Sequence, residues 1–219
     1  MPVGAIFDLD GTLVTFRFDV QGKRKALLDE LTAKGFETAG MGLATPTQQI
    51  IDAARSQAPI RKPEAFEELR VRIYAILDEF ELESVASAKV FPGTRESLDF
   101  LKAKGVRLAV LTNSGRKAAL EALRRASLLD CFEFVLTRDE TETMKPRPEG
   151  LLKATSMLGL PANSVYYVGD SLYDIAAAKD AGIKVVSVAT GNYPAERLRE
   201  EGADSVISSI TELHQVFGL

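Results

Sequence analysis

Internal disulfides are excluded, because Cys131 is the single cysteine among 219 residues. That scarcity fits a reducing compartment, and a cytoplasmic protein is expected. Histidine is as rare: His214 stands alone near the C-terminus in a helical-looking stretch, so no cysteine–histidine catalytic pair is expected and Cys131 reads as a packed small apolar residue. Long hydrophobic runs are missing too. Stretches such as VRLAVL from Val106 fall far short of a bilayer span. The start runs from Met-Pro straight into an apolar strand, without basic n-region or cleavage site, so no export signal is expected. Nor does one charge dominate. With 27 basic against 31 acidic residues the net charge is −4, so neither nucleic acid nor an anionic membrane is expected as partner. There is no internal repeat and no low-complexity segment.

What is present is an ordinary globular composition, 46% hydrophobic and 26% charged, at a length that suits one domain carrying a smaller insert. Short apolar runs recur: VGAIF (3–7), VRLAVL (106–111), FEFVL (132–136), SVYYV (164–168), KVVSV (184–188) and DSVI (204–207). Continuous rather than alternating hydrophobicity predicts strands buried on both faces, hence a parallel sheet. Amphipathic stretches lie between them, ending at Gly105, Gly159 and Gly182, with Thr94 and Ser171 as expected N-caps. The fold class is therefore α/β: a Rossmann-like parallel core over residues 1–14 and 89–219. Residues 15–88 break the rhythm. They carry helical patterns only, with Phe66, Leu69, Ile73, Ile76 and Leu77 at helical spacing, and predict an inserted helical domain.

The chemistry-bearing residues follow strand ends. In Asp8-Leu-Asp10-Gly-Thr12 the two carboxylates project to one side of an extended chain, a repulsion that a cation relieves, and Gly11 permits close backbone approach. An Asp-rich turn with Asp-Gly is the common alternative, but even taken alone the motif favours a site. Thr112-Asn113-Ser114 follows the second strand and offers hydroxyls, an amide and backbone N–H groups to an anion. Lys145 follows the FEFVL strand, with Pro146 and Pro148 stiffening its approach. Gly169-Asp170-Ser171-x-x-Asp174 follows SVYYV, and Ser171 with Asp174 also forms a capping-box pattern. In conjunction, acid groups for a hard cation and donors for an oxyanion are expected on one edge of the sheet.

The stretches DLDGTL, LTNS, MKPRPEG and VGDSLYD resemble the four motifs of the haloacid dehalogenase superfamily in its phosphatase branch, and phosphoglycolate-phosphatase-like members in particular. The resemblance covers essentially the whole chain and implies that 15–88 is the family's smaller helical cap. It implies Asp8 as nucleophile and Asp10 as acid/base. It also implies Mg²⁺ held by the Asp8 carboxylate, the Asp10 main-chain carbonyl and Asp170, with Asp174 as indirect or water-mediated support, and phosphoryl oxygens bound by Thr112, Asn113 and Lys145. The implied reaction is hydrolysis of a small phosphorylated metabolite, phosphoglycolate as first guess, through an aspartyl-phosphate. Arg17, Arg61 and Lys62 are candidate cap contacts to an anionic substrate tail, Arg17 the best placed. No particular oligomeric state is implied. Val14-Thr15-Phe16-Arg17-Phe18 departs from the Asp-Ser often seen after the first motif. A phosphoglucomutase-type transferase keeps every residue named here and is the main alternative. Asp10, Asp170 and Asp174 argue against dehalogenation, which needs no metal.

Overall fold

The structure is a computed structural model that describes residues 4–16, 19–45, 47–57 and 63–218, the side chains of 63–66 excepted. The chain divides into two compact units, Met1–Phe16 with Ser87–Leu219 and Arg17–Ala86.

The first unit is built on a parallel sheet of β1 (Gly4–Phe7), β4 (Arg107–Leu111), β5 (Phe134–Leu136), β6 (Val165–Gly169), β7 (Lys184–Val188) and β8 (Ser205–Ile207), in the order β5-β4-β1-β6-β7-β8. Every pairing in it is parallel, as the continuous apolar runs require. Strand alternation then feeds two cores. Ala5, Phe7, Leu108, Val110, Val168 and Val186 join one cluster, whereas Ile6, Ala109, Leu111, Tyr167 and Val185 join the other. Truncating one of these large side chains to alanine should cost about 2–5 kcal/mol. The intervening helices are α4 (Thr94–Ala103), α5 (Arg116–Arg125), α6 (Glu149–Met157) and α7 (Leu172–Asp180), followed by α8 (Ala195–Glu201) and α9 (Leu213–Val216). From β1 the order runs outward through β4 and β5 on one side and through β6, β7 and β8 on the other, which makes the β1–β6 crevice the topological switch point.

Two local readings are corrected. The N-cap of α4 is Gly93, in left-handed backbone at φ 76°, and Thr94 is instead the first helical residue, its hydroxyl donating to the Phe91 carbonyl at 2.7 Å. A threonine one residue inside the helix reaches back to the preceding turn rather than forward to free N–H groups. The other concerns the edge of the expected helical segment: β2 (Val14–Thr15) pairs antiparallel with β3 (Lys89–Val90), so Thr15, expected in that segment, is strand. Two-residue strands are too short to carry a readable period.

The second unit comprises α1 (Val20–Ala33), α2 (Thr47–Gln57) and α3 (Pro63–Val85). Asp19 caps α1 through its carboxylate, which accepts from Gly22 N–H at 2.8 Å. Its interior is aliphatic: Leu27, Leu31, Ile50, Ile51, Ala54, Leu69, Ile73 and Leu77 are all buried. Among the described residues no helix is long and apolar enough to cross a membrane.

Candidate active site

The parallel sheet brings four chain-distant loops to its carboxyl edge. Asp8 leaves β1 and is locked to β6 by its N–H, which donates to the Val168 carbonyl at 2.8 Å. Thr112 leaves β4, its N–H bonded to Leu136 at 3.0 Å. Asp170 follows β6 directly, and Asp174 sits in the first turn of α7, whose N-cap Ser171 forms a complete capping box with it.

Lys145 is the hub. Its ammonium, 5% exposed, donates to Asp8 Oδ1 at 2.7 Å, to Asp174 Oδ1 at 2.6 Å and to the Tyr167 hydroxyl at 2.7 Å. These are buried, charge-assisted contacts, strong because the surroundings are dry. Asp174 is saturated: besides Lys145 it accepts from Tyr167 at 2.8 Å, from Ser171 N–H at 2.9 Å and from Ser171 Oγ at 2.6 Å. Asn113 has a structural job at this edge. Its side-chain amide donates to the Lys145 carbonyl and accepts from the Lys145 N–H, both at 2.9 Å, so it straps the lysine loop to the end of β4. The buried Arg138 donates to the Asn113 carbonyl at 3.0 Å. Thr112 Oγ1 accepts from Ser114 N–H at 3.1 Å.

Asp10 lies half-buried on the same loop as Asp8 and accepts from Phe16 N–H at 3.2 Å. Thr12 donates to Asp170 Oδ1 at 3.3 Å. Asp170 is otherwise hemmed in by glycines. A Cβ placed at Gly11, where φ is 83°, would come within 2.4 Å of its carboxylate, and one at Gly191 would come within 1.7 Å. Thr190 donates to the Gly11 carbonyl and ties these two glycine segments together.

Among the described residues the site is short of positive charge. Asp8, Asp170 and Asp174 offer oxygens within 4.8 Å of one another, and one ammonium, Lys145, is bonded to two of them. Burial, helped by the Asp174 and Asp8 charges, pushes Asp170 up to about 9. Burial also raises Asp8 to about 6 despite the Lys145 ammonium beside it, with Asp174 adding to the rise. Asp174 is held below the usual carboxylate range, because its own burial is outweighed by the charge and hydrogen bond of Lys145 and by the Ser171 and Tyr167 donors. The shared lysine thus keeps Asp174 ionised and leaves Asp8 and Asp170 competing for protons. Three clustered carboxylates that one lysine cannot balance, all hard oxygen donors, fit a divalent cation such as Mg²⁺.

Of the residues singled out in the sequence, Asp8, Asp10, Thr112, Asn113, Lys145, Asp170 and Asp174 all lie on loops or helix starts at this edge. Arg17, Arg61 and Lys62 lie outside the described residues. Four contributors escaped the sequence reading: Thr12, Tyr167, Thr190 and Gly191. Tyr167 left a signal, since a tyrosine inside a strand buried on both faces needs a partner for its hydroxyl. Gly191 left none, because its role is the space it leaves for a residue 21 positions earlier.

The family profile of haloacid dehalogenase-like hydrolases matches residues 5–188. The phosphoglycolate phosphatase of Nitrosospira multiformis is 30% identical over 215 residues, covering 97% of this chain and 94% of its own. That of Neisseria meningitidis is 31% identical, covering 95% and 91%. Among solved structures, a hydrolase from Pseudomonas syringae aligns at TM-score 0.70 with 22% identity over 99% of both chains. A protein provisionally described as β-phosphoglucomutase, from Thermotoga maritima, aligns at TM-score 0.62 with 25% identity over 98% of both. Profile, relatives and the acid-and-lysine edge of a parallel sheet agree, and the chain belongs to the haloacid dehalogenase-like hydrolases, its curated relatives being phosphatases by name.

Proposed function

We propose that this protein is a Mg²⁺-dependent phosphomonoester hydrolase working through a phosphoryl group on Asp8, with phosphoglycolate as the first substrate to try. The observation that carries the reading is Lys145 Nζ at 2.7 Å from Asp8 Oδ1 with Asp170 and Asp174 clustered behind. The Asp8 carboxylate, the Asp10 carbonyl and Asp170 would hold Mg²⁺, with Asp174 supporting the site indirectly by fixing Lys145. The cation would supply the positive charge that lets a dianionic phosphate meet a carboxylate.

Asp8 attacks phosphorus, forming an Oδ–P bond as the bond to the substrate's leaving oxygen breaks. Asp10 gives its proton to that oxygen and so releases the alcohol. Water then attacks the same phosphorus, Asp10 takes the water's proton, and the Asp8–phosphorus bond breaks to give inorganic phosphate. Asp10 suits both steps by its place two residues past Asp8 on the same loop, half-buried, where its carboxylate accepts from Phe16 N–H at 3.2 Å. Thr112, the main chain around Asn113, and Lys145 would receive the phosphoryl oxygens. The helical segment 15–88 is proposed as a cap and Arg17 as its contact to an anionic substrate tail, both on the chain order of the motifs. The single cysteine favours a cytoplasmic setting.

Phosphoglycolate enters because the relatives from Nitrosospira and Neisseria carry that activity in their names. The test is a panel of phosphomonoesters with Mg²⁺, scored by phosphate release. Turnover led by phosphoglycolate supports the full reading, turnover led by another ester keeps only the chemistry, and no turnover on any member overturns both. The mutase reading has one observation in its favour, the likeness to the Thermotoga protein. Incubation with a sugar phosphate separates the two, since a mutase returns an isomer and a hydrolase returns free phosphate.

A further inference from the structure

Tyr167 stands at the centre of the sheet, on β6 between Ile6 of β1 and Val185 of β7, and is fully buried. It belongs to the same buried cluster as Ile6, Leu111, Leu136, Leu151 and Ile175. A phenylalanine would fill that volume without the cost of burying a hydroxyl. The hydroxyl is nevertheless there, and it is fully used: it accepts from Lys145 Nζ at 2.7 Å and donates to Asp174 Oδ1 at 2.8 Å, the Leu111 carbonyl lying farther off at 3.5 Å.

An ammonium has three N–H bonds, and here each has an acceptor. Two of those acceptors, Tyr167 Oη and Asp174 Oδ1, are bonded to each other, and Asp174 is anchored in turn by Ser171. They form a rigid pair. The third acceptor, Asp8, is the one whose bonding changes in the proposed reaction: as its oxygen becomes bonded to phosphorus it loses negative charge, while the phosphoryl oxygens gain a nearby donor's attention. We propose that Tyr167 is a positioning residue for catalysis, holding one N–H of Lys145 so that, with Asp174 holding a second, the third alone can pass from Asp8 to a phosphoryl oxygen. Without the hydroxyl, one ammonium hydrogen is left buried with no acceptor, and the lysine is free to tighten on Asp8 and hold the nucleophile back.

The inference rests on the proposed phosphatase reading and is tested with Tyr167→Phe, using p-nitrophenyl phosphate, Mg²⁺, vanadate as a five-coordinate phosphoryl mimic and inorganic phosphate. The expected result is kcat lower by about tenfold to a hundredfold, as for a reacting group held slightly out of place. KM should stay within about threefold, because ground-state binding does not depend on which N–H is free. Vanadate should weaken by more than inorganic phosphate does, and the thermal midpoint should hold. Two results overturn it. One is kcat within about twofold of wild type. The other is vanadate and phosphate weakened equally alongside a lowered midpoint, which is the mark of a packing role. Wild-type turnover is the control: its absence sinks the phosphatase reading and this inference together, whereas wild-type turnover matched by Tyr167→Phe sinks the inference alone.

Discussion

Polar side chains are used in opposite ways in the two units. In the helical unit many of their bonds are exposed or half-buried: Lys25 bonds Asp29, Gln48 bonds Asp52 and Arg70 bonds Glu67 one helical turn away, and the longer Arg72–Glu30 bond over 42 positions is exposed too. At the sheet edge of the other unit they reach across the chain. Lys145 bonds Asp8 over 137 positions, Asn113 bonds Lys145 over 32, and Thr190 bonds Gly11 over 179. Local pairs in water contribute little, because solvent and side-chain entropy offset them. Long-range buried ones cannot be replaced by water and have no slack. The first arrangement keeps a helix soluble, and the second fixes reacting groups in place.

That contrast can be broken or sharpened by experiment, beginning with the largest effect. Asp8→Asn removes the attacking oxygen, and kcat should fall by about a thousandfold or more, with no phosphoryl-enzyme trapped from labelled substrate. A variant that kept near-normal turnover would end the mechanism. Gly191→Ala puts a methyl 1.7 Å from Asp170 Oδ2, so that carboxylate must move. Mg²⁺ affinity by calorimetry should weaken by about tenfold to a hundredfold, as when a ligand loses its supports. Unchanged affinity would show that the loop yields instead.

Metal removal gives a pH signature. Without a cation, Asp8 near 6 and Asp170 near 9 hold protons in the folded state that an unfolded carboxylate, at 3.8, has already lost. The folded state therefore binds more protons in that window, and stability falls as pH rises from about 4 through 6 towards 9. Asp174 acts in the opposite sense, but only below that window, where its unfolded form is still protonated. Thermal midpoints after EDTA treatment should decline over this range, and the stabilisation by added Mg²⁺ should be larger at pH 8 than at pH 5. A flat profile would mean that the buried carboxylates are balanced without metal.

Smaller effects complete the series. Asn113→Ala cuts both bonds that strap the Lys145 loop, and a loss of about 1–3 kcal/mol in stability, read by urea unfolding, is expected for two buried main-chain partners left open. Lys25→Ala, in the helical unit, should move the thermal midpoint by no more than ~2 °C. If it cost as much as Asn113→Ala, the division between local and long-range polar contacts would fail.

The parallel core was legible because strands buried on both faces leave continuous apolar runs, and β1, β4, β5, β6, β7 and β8 all fall on such runs. Asp8, Lys145 and Asp170 were legible because each follows a strand that a parallel sheet sends to the same edge. What order along the chain determined, then, was which loops meet and which acid and basic groups they carry. What only the tertiary structure decided was how each polar atom is spent. Asn113 straps the Lys145 loop, Asp174 anchors the lysine's ammonium, and Tyr167, one residue of an apolar run, is that ammonium's third partner beside Asp8. The reason is physical: the alternation of a strand sets which face a side chain takes, but a hydrogen bond depends on ångström distances between groups that only packing brings together.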